Sequence, residues 1–353
     1  MNLFEKIQSQ GHEQVVFCNN PQTGLRAVIA LHSTVLGPAI GGIRIFPYAS
    51  EQEAIDDVLR LSKAMTYKAS LAGLNLGGGN AVIIGDSGVK SEALFRSFGR
   101  YIQSLNGRFI GGADMSTNVE DINNIHLETE WVLGSSVNKG GSGNPAPMTA
   151  FGVYHGIRAC LEIVFGNPNV RGKKIAIQGV GAVGFEVARY LHEAGAKLLY
   201  YDISSRHLKR AMEHFPGTVI ESSFYKTDCD VLAPCAVGGI INQRTIPRIQ
   251  APIIAGAANN QLEEESIDAQ LLKEKGILYA TDYAVNAGGL ISVSAELTGH
   301  SKQKTLEDVA NIFDSVKKIF NLSEQENIST VAAADKIAKN RIQSIATLAG
   351  FFL

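Results

Sequence analysis

What the chain lacks narrows its class before any motif is read. None of its apolar runs approaches the ~20 residues of a bilayer-spanning helix, so no membrane is expected as a partner. Cysteine is scarce: Cys18, Cys160, Cys229 and Cys235 are scattered, with no CxxC and no histidine at metal-ligand spacing. That excludes a disulfide scaffold and a zinc module. It predicts buried free thiols in a reducing, cytoplasmic compartment, and no metal. An excess of charge is also absent: 32 Lys+Arg against 34 Asp+Glu give a net charge of −2, with no basic footprint for nucleic acid. Met1–Gln10 is polar and amphipathic, without a basic n-region or an apolar h-region, so no secretory signal is expected. No fixed-period repeat or low-complexity tract is visible.

The remainder is ordinary globular composition, 45% hydrophobic and 19% charged. A length of 353 residues predicts two domains. Glycine is the anomaly: 36 residues are about one in ten, against a usual ~7%.

Along the chain, EQVVFC and LRAVIALH flank a turn-like Asn19–Gly24 and predict a hairpin. Helical periodicity runs from Ser50 to about Ala72 and over Ser91–Ser104, with a short strand at Ala81–Ile84 between them. GGSGNPAP, Gly140–Pro147, is the sharpest composition break and a hinge candidate, after which Thr149 N-caps a helix to about Phe165. From Lys173 onward, short apolar strands alternate with helices, the pattern of a doubly wound parallel sheet. Two amphipathic helices, about 305–321 and 330–348, close the chain. The expected fold class is α/β. An N-terminal α/β domain is expected over 1–140, and a doubly wound domain of the Rossmann type over 149–330. The terminal helices from about 305 to 353 are candidates to return to the first domain.

IAIQ is followed at once by Gly179-Val180-Gly181-Ala182-Val183-Gly184, a full GxGxxG between a strand and a helix. Gly179 permits the tight turn, Gly181 admits a pyrophosphate to the backbone, and Gly184 lets the helix pack on the strand. The helix N-terminus adds amide donors and a positive dipole. Asp202 ends the next strand and would accept hydrogen bonds from a ribose while repelling a 2′-phosphate, which favours NAD over NADP. Arg206 would soften that preference.

In the first domain, Ala54, Val58, Leu61, Met65 and Ala72 form an apolar helical stripe, and Lys68 falls on it. A lysine so placed snorkels, finds a carboxylate, or binds an anionic ligand. Gly41-Gly42, Gly77-Gly78-Gly79 and Gly111-Gly112 stand at strand edges, as expected where backbone approaches a small ligand. Asp114 follows the last pair, as a candidate acid or as a plain helix-start acid.

At these residues the chain resembles the glutamate/leucine/phenylalanine/valine dehydrogenase family, most closely its leucine dehydrogenase branch. The likeness runs in order through LGPAIGGIRI, LSKAMTYK, LNLGGG, LNGRFI, GNPAPMTAFGV, QGVGAVG, APCAVGG, AGAANNQL and TDYAVNAGG. The resemblance implies a homo-oligomer with a cleft between its two domains. The implied reaction is NAD-dependent interconversion of an L-amino acid with its 2-oxo acid and ammonia. It assigns Lys68 to the substrate carboxylate, Asp114 to the amino group and proton traffic, and Gly41 and Gly42 to backbone beside the substrate. It also places Asn259 and Asn286 near substrate and nicotinamide, and Thr149 at the hinge. Ile40, Gly112, Leu290 and Val293 become an apolar specificity pocket without a charge for glutamate. Leucine and other branched residues come first, and phenylalanine or tryptophan is the alternative.

One position departs from the family pattern. The family's glycine-rich segment ends in a catalytic lysine, and this chain has Asn80 there. An amide orients water by hydrogen bonds but takes no proton near neutral pH. Three readings stay open: a Lys→Asn variant of a normal enzyme, a member that is slow or uses another base, and a non-catalytic paralogue that binds NAD or an amino acid.

Overall fold

The structure is a computed structural model and describes residues 3–139, 141–221 and 223–347. Met1, Gly140 and Leu348, which bound segments expected from the sequence, lie outside the described residues. The chain divides between Asn144 and Pro145 into two compact units. Glu296–Gly299 and the chain from Ala338 return to the first unit, while His300–Ile337 stays in the second. The helix over 330–346 carries residues assigned to both units.

The first unit opens with α1 (Leu3–Gln10), followed by β1 (Gln14–Asn20), β2 (Leu25–Ser33) and β3 (Ala39–Phe46). Then come α2 (Glu51–Leu71), β4 (Gly77–Ile84), α3 (Glu92–Ser104), β5 (Phe109–Ala113) and α4 (Val119–His126). The sheet order is β1-β2-β4-β3-β5, with β3 parallel to both β4 and β5 and the hairpin strands antiparallel. β2 is apolar from Ala27 to Leu31 because both its faces are covered there. Ala27, Ile29 and Leu31 join the core of α3 and α4, while Val28 and Ala30 meet Ala54, Val58 and Leu59 of α2. Ser50 caps α2 by accepting from the Glu53 amide. In α4, Asn118 and Asp121 form a reciprocal capping box.

Two sequence expectations shift here. The deepest face of α2 runs through Val58, Leu59, Ser62, Thr66 and Ala69, whereas Leu61, Met65, Lys68 and Ala72 are half-buried. Small polar residues occupy that inner face because β4 approaches closely: a Cβ on Gly78 would come 2.1 Å from the Thr66 nitrogen. Apolarity alone therefore misplaced the stripe. For the same reason most of the glycines pack against protein. A Cβ on Gly41 would meet the Gly79 carbonyl at 1.7 Å, and one on Gly77 the Ser33 carbonyl at 1.9 Å.

α1, β2 and α2 meet at two buried histidines. His12 Nε2 lies 3.0 Å from both the Leu59 carbonyl and Ser62 Oγ. His32 uses Nδ1 on Thr66 Oγ1 at 2.8 Å and Nε2 on the Gln10 carbonyl at 3.1 Å. Burial, then His12 and Lys63, lowers the His32 pKa from 6.5 to about 4. Because the folded value lies below the unfolded one, its contribution is complete above pH 6.5 and is lost as pH falls towards 4. Unfolding stability should drop by at most about 3 kcal/mol over that window. Chemical denaturation of His32→Gln should show a flatter pH dependence, and an unchanged profile would refute the assignment.

The second unit begins with α5 (Ala146–Phe165), β6 (Lys174–Gln178), α6 (Ala182–Glu193), β7 (Lys197–Tyr201) and α7 (Ser205–His214). Next are β8 (Thr218–Val219), β9 (Val231–Pro234), β10 (Ile253–Ile254), α8 (Glu265–Glu274) and β11 (Leu278–Tyr279). It closes with α9 (Asp282–Val285), α10 (Gly288–Thr298), α11 (Lys302–Ala310), α12 (Ile312–Glu326) and α13 (Thr330–Ala346). α10, like α13, carries residues of both units. The parallel six-stranded sheet has the order β11-β10-β9-β6-β7-β8, the Rossmann order, which reverses between β6 and β9. Cys18, Cys160 and Cys229 are buried free thiols, and Cys235 is half-buried and free.

Thr149 does not cap α5, which starts three residues earlier behind Pro145. Pro147 needs no amide partner in the first turn, so the helix extends back through it. The Thr149 hydroxyl instead donates to the Pro145 carbonyl at 3.1 Å. The expected helix 305–321 is interrupted at Asn311, between α11 and α12.

Candidate active site

The parallel strands β4, β3 and β5 bring Asn80, Gly42 and Gly112 into one row, with Gly42 opposite Gly112 in register. Side chains alternate across a strand, so Asn80 and Val82, like Gly42 and Arg44, face α2. Lys68 stands in the last turn of α2, the helix that covers this face. Asn80 is 2% exposed. Its Oδ1 accepts from the Gly42 amide at 2.7 Å, and its Nδ2 is buried with no partner. An unpaired buried donor costs roughly 1–3 kcal/mol, a cost that any acceptor reaching Nδ2 would offset.

Asp114 follows β5 on the other side of Gly42, where a Cβ on that glycine would sit 2.5 Å from the Asp114 Cβ. Thr117 orients the turn by accepting from the Asp114 amide at 2.8 Å and donating to the Ile43 carbonyl at 2.8 Å. Arg44 donates from Nε to Asp114 Oδ2 at 3.0 Å and from its Nη1 to Asp57 Oδ2 at 3.2 Å. Burial opposes the Arg44 charge, yet Asp114 and Asp57 outweigh it and raise its pKa. Tyr48 adds a hydrogen bond to Asp57 at 2.6 Å, and its pKa rises through burial first and that carboxylate second. Sequence reasoning passed over Arg44, although a lone charge inside the apolar strand AIGGIRIF was the available signal.

The remaining residues of the first unit frame this row. Ile40 is buried in β3. Gly112 is roomier than its neighbours, since a Cβ there would meet nothing closer than 3.7 Å.

In the second unit the turn after β6 has three glycines in three environments. Gly179 takes φ +85°, and a Cβ on it would meet the Ala236 Cβ at 2.5 Å. A Cβ on Gly184 would strike the Gly179 carbonyl at 1.9 Å, so α6 leaves the strand at the closest approach. Gly181 has nothing within 4 Å of such a Cβ, and no side chain caps the α6 N-terminus that it opens. Val180 is buried, Ala182 exposed and Val183 half-buried. Open space before uncapped amides suits a phosphate group, so the residues fit a dinucleotide.

Asp202 is tied into the same turn. Its Oδ2 accepts from the Val180 amide at 2.8 Å and its Oδ1 from Ser204 at 2.8 Å, while His207 Nδ1 lies 3.4 Å from Oδ2. His207 is a neighbour that sequence reasoning missed. The loops after β10 and β11 bring Asn259 and Asn286 together, with Asn286 Nδ2 donating to Asn259 Oδ1 at 2.7 Å. Asn286 is 3% exposed and its Oδ1 has no partner. Thr149 packs on Gly289, whose added Cβ would lie 2.5 Å from Oγ1. Leu290 is buried and Val293 half-buried, one turn apart on α10. Among the described residues, no group of three His, Cys, Asp or Glu could hold a metal, and no helix is long and apolar enough to cross a membrane.

Comparison with known proteins agrees with this architecture. Residues 12–133 match the model of the Glu/Leu/Phe/Val dehydrogenase dimerisation domain. Residues 140–205 and 198–350 match that of Glutamate/Leucine/Phenylalanine/Valine dehydrogenase. The chain is 48% identical over 347 residues to a leucine dehydrogenase of Bacillus cereus, covering 98% of this chain and 94% of the relative. It is 45% identical over 345 residues to an L-tryptophan dehydrogenase of Nostoc punctiforme, with 98% and 97% covered. The crystal structure of L-tryptophan dehydrogenase from Nostoc punctiforme superposes with a TM-score of 0.84 at 43% identity, covering 98% of this chain and 99% of that one. With both halves matched and similarity along nearly its whole length, the chain belongs to the Glu/Leu/Phe/Val dehydrogenase family of amino acid dehydrogenases.

Proposed function

We propose that the chain is a homo-oligomeric, NAD-dependent dehydrogenase of an apolar L-amino acid, with leucine and other branched residues preferred, whose deamination is slowed by Asn80. The observation that carries this reading is the open space at Gly181 before the uncapped α6 N-terminus. NAD bound there would accept a hydride from the substrate Cα. The rest is the work of the chain's own side chains. Lys68 holds the substrate carboxylate, Gly41 and Gly42 let the substrate approach the backbone, and Asp114 faces the amino group. Asn259 and Asn286 act as a joined amide pair beside substrate and nicotinamide, with Thr149 at the hinge. Ile40, Gly112, Leu290 and Val293 set the side-chain preference. The Asp202 carboxylate accepts from the ribose and disfavours a 2′-phosphate. The relatives' named substrates, leucine and tryptophan, are both apolar, in keeping with such a pocket.

The test is a comparison of kcat/KM for L-leucine, L-phenylalanine, L-tryptophan and L-glutamate, with NAD and with NADP. Leucine should exceed glutamate by roughly 10²-fold or more, because an unpaired carboxylate is costly to bury. Equal values for the two would refute the pocket. A second reading, a non-catalytic amino-acid-binding paralogue, is favoured by the neutral amide at residue 80. Substantial leucine oxidation by the unaltered chain rules it out.

A further inference from the structure

The reaction proposed above has two halves with different needs. Hydride transfer joins an amino acid and its iminium and needs positioned partners. Hydration of the iminium needs a group to take a proton from water and a group to return one to the departing amine. On the face of β4, β3 and β5, the two side chains flanking Gly42 are Asn80 and Asp114. Asn80 carries no exchangeable charge state. Tyr48 and Arg44 are spent on Asp57 and Asp114. His12 and His32 are bonded to Leu59, Ser62, Thr66 and Gln10. With Lys68 assigned to the substrate carboxylate, Asp114 is the one proton carrier left to the hydration half among these described side chains.

What remains has a definite complementarity. Asn80 Oδ1 is fixed by the Gly42 amide, so the amide presents Nδ2, a buried donor without a partner. Asp114 presents a carboxylate that Arg44 holds through Oδ2. A donor and an anionic acceptor on either side of a bare glycine match a ligand that carries a carboxylate next to a cationic N–H.

We propose that this site reduces preformed cyclic 2-imino acids, five- or six-membered rings with C=N beside the carboxylate, in preference to joining ammonia to a 2-oxo acid. The inference rests on the proposed placement of substrate on the first unit and of a nicotinamide dinucleotide on the second. In the step, the reductant NADH supplies a hydride to the imine carbon of the protonated ring. The C=N π pair becomes the nitrogen lone pair, NAD⁺ is released, and the ring amine takes a proton from solvent. No water is added or lost and no ammonia is exchanged, so no second proton carrier is needed. Asp114 accepts from the ring N–H⁺, and Asn80 Nδ2 donates to the ring carboxylate alongside Lys68.

The full chain should be assayed with NADH and 1-piperideine-2-carboxylate or 1-pyrroline-2-carboxylate, and separately with 4-methyl-2-oxopentanoate and ammonia. NADH fluorescence should report dinucleotide binding, and pyridine-2-carboxylate should serve as a planar, unreactive probe of the ring site. The expected result is cyclic-imine reduction faster than reductive amination by roughly 10²-fold. Asn80→Ala should lower the affinity for pyridine-2-carboxylate about tenfold, with a small fall in Tm from the lost Gly42 hydrogen bond. Asn80→Lys should gain reductive amination without gaining cyclic-imine reduction. Cyclic imines at background, with NADH bound and Asn80→Lys active on leucine, would overturn this inference and leave the proposed function standing. Failure to bind NADH would overturn both.

Discussion

Asn80→Lys is expected to raise the rate of L-leucine oxidation by roughly 10²–10⁴-fold over the unaltered chain, the range that a positioned general base contributes. The lysine would extend from β4 across the bare Gly42 towards Asp114, the direction in which Asn80 already points. Burial at this 2%-exposed position should lower its pKa, so activity should rise with pH as the amine becomes neutral. The substitution also removes the acceptor of the Gly42 amide, at a cost of about 1 kcal/mol. A small fall in Tm should therefore accompany the gain. Stopped-flow measurement of NADH formation checks it. A folded, NADH-binding Asn80→Lys chain with no faster turnover would show that residue 80 is not the missing base.

The second large effect concerns the glycine turn, where two substitutions of the same size should behave oppositely. Gly181→Ala places its methyl group in open space, so the chain should fold with a Tm within a few degrees of the original. That methyl occupies the proposed pyrophosphate seat, and loss of a charge-assisted hydrogen bond there should weaken NADH binding by roughly tenfold or more. Gly184→Ala drives its methyl into the Gly179 carbonyl at 1.9 Å and should destabilise the second unit by about 1–3 kcal/mol through overpacking. Thermal melts with fluorescence titrations of NADH separate the two. Full-strength binding by Gly181→Ala would remove the dinucleotide from this turn.

Gly179–Gly184 could be read from the chain because all its constraints are local: a strand, a tight turn and a helix within a few residues. In the structure Gly179 takes φ +85° and Gly184 packs against the Gly179 carbonyl, while Gly181 stands in open space. The row across β4, β3 and β5 was harder, because Asn80, Gly42 and Asp114 are far apart in sequence and register alone aligns them. Arg44 went unread for a related reason. A buried arginine is intelligible only with its carboxylates, and Asp57 and Asp114 come from α2 and from the turn after β5. The α2 stripe differs from its apolar periodicity because the close approach of Gly78 selects Thr66 for the inner face and His12 bonds Ser62 there.

The sequence by itself determined the two-part α/β organisation, the scarcity of reactive cysteine, the glycine turn and the presence of an amide at residue 80. These depend on composition and on neighbours along the chain. Only the tertiary structure decided what most of the glycines are for. Outside Gly181 and the roomy Gly112, those at the two sites bring strand, helix and carbonyl into contact, and the neighbour that excludes a Cβ usually lies tens of residues away. It also decided which end of the buried Asn80 amide is left without a partner. That choice follows from the Gly42 N–H, which claims the oxygen and leaves the donor without a partner.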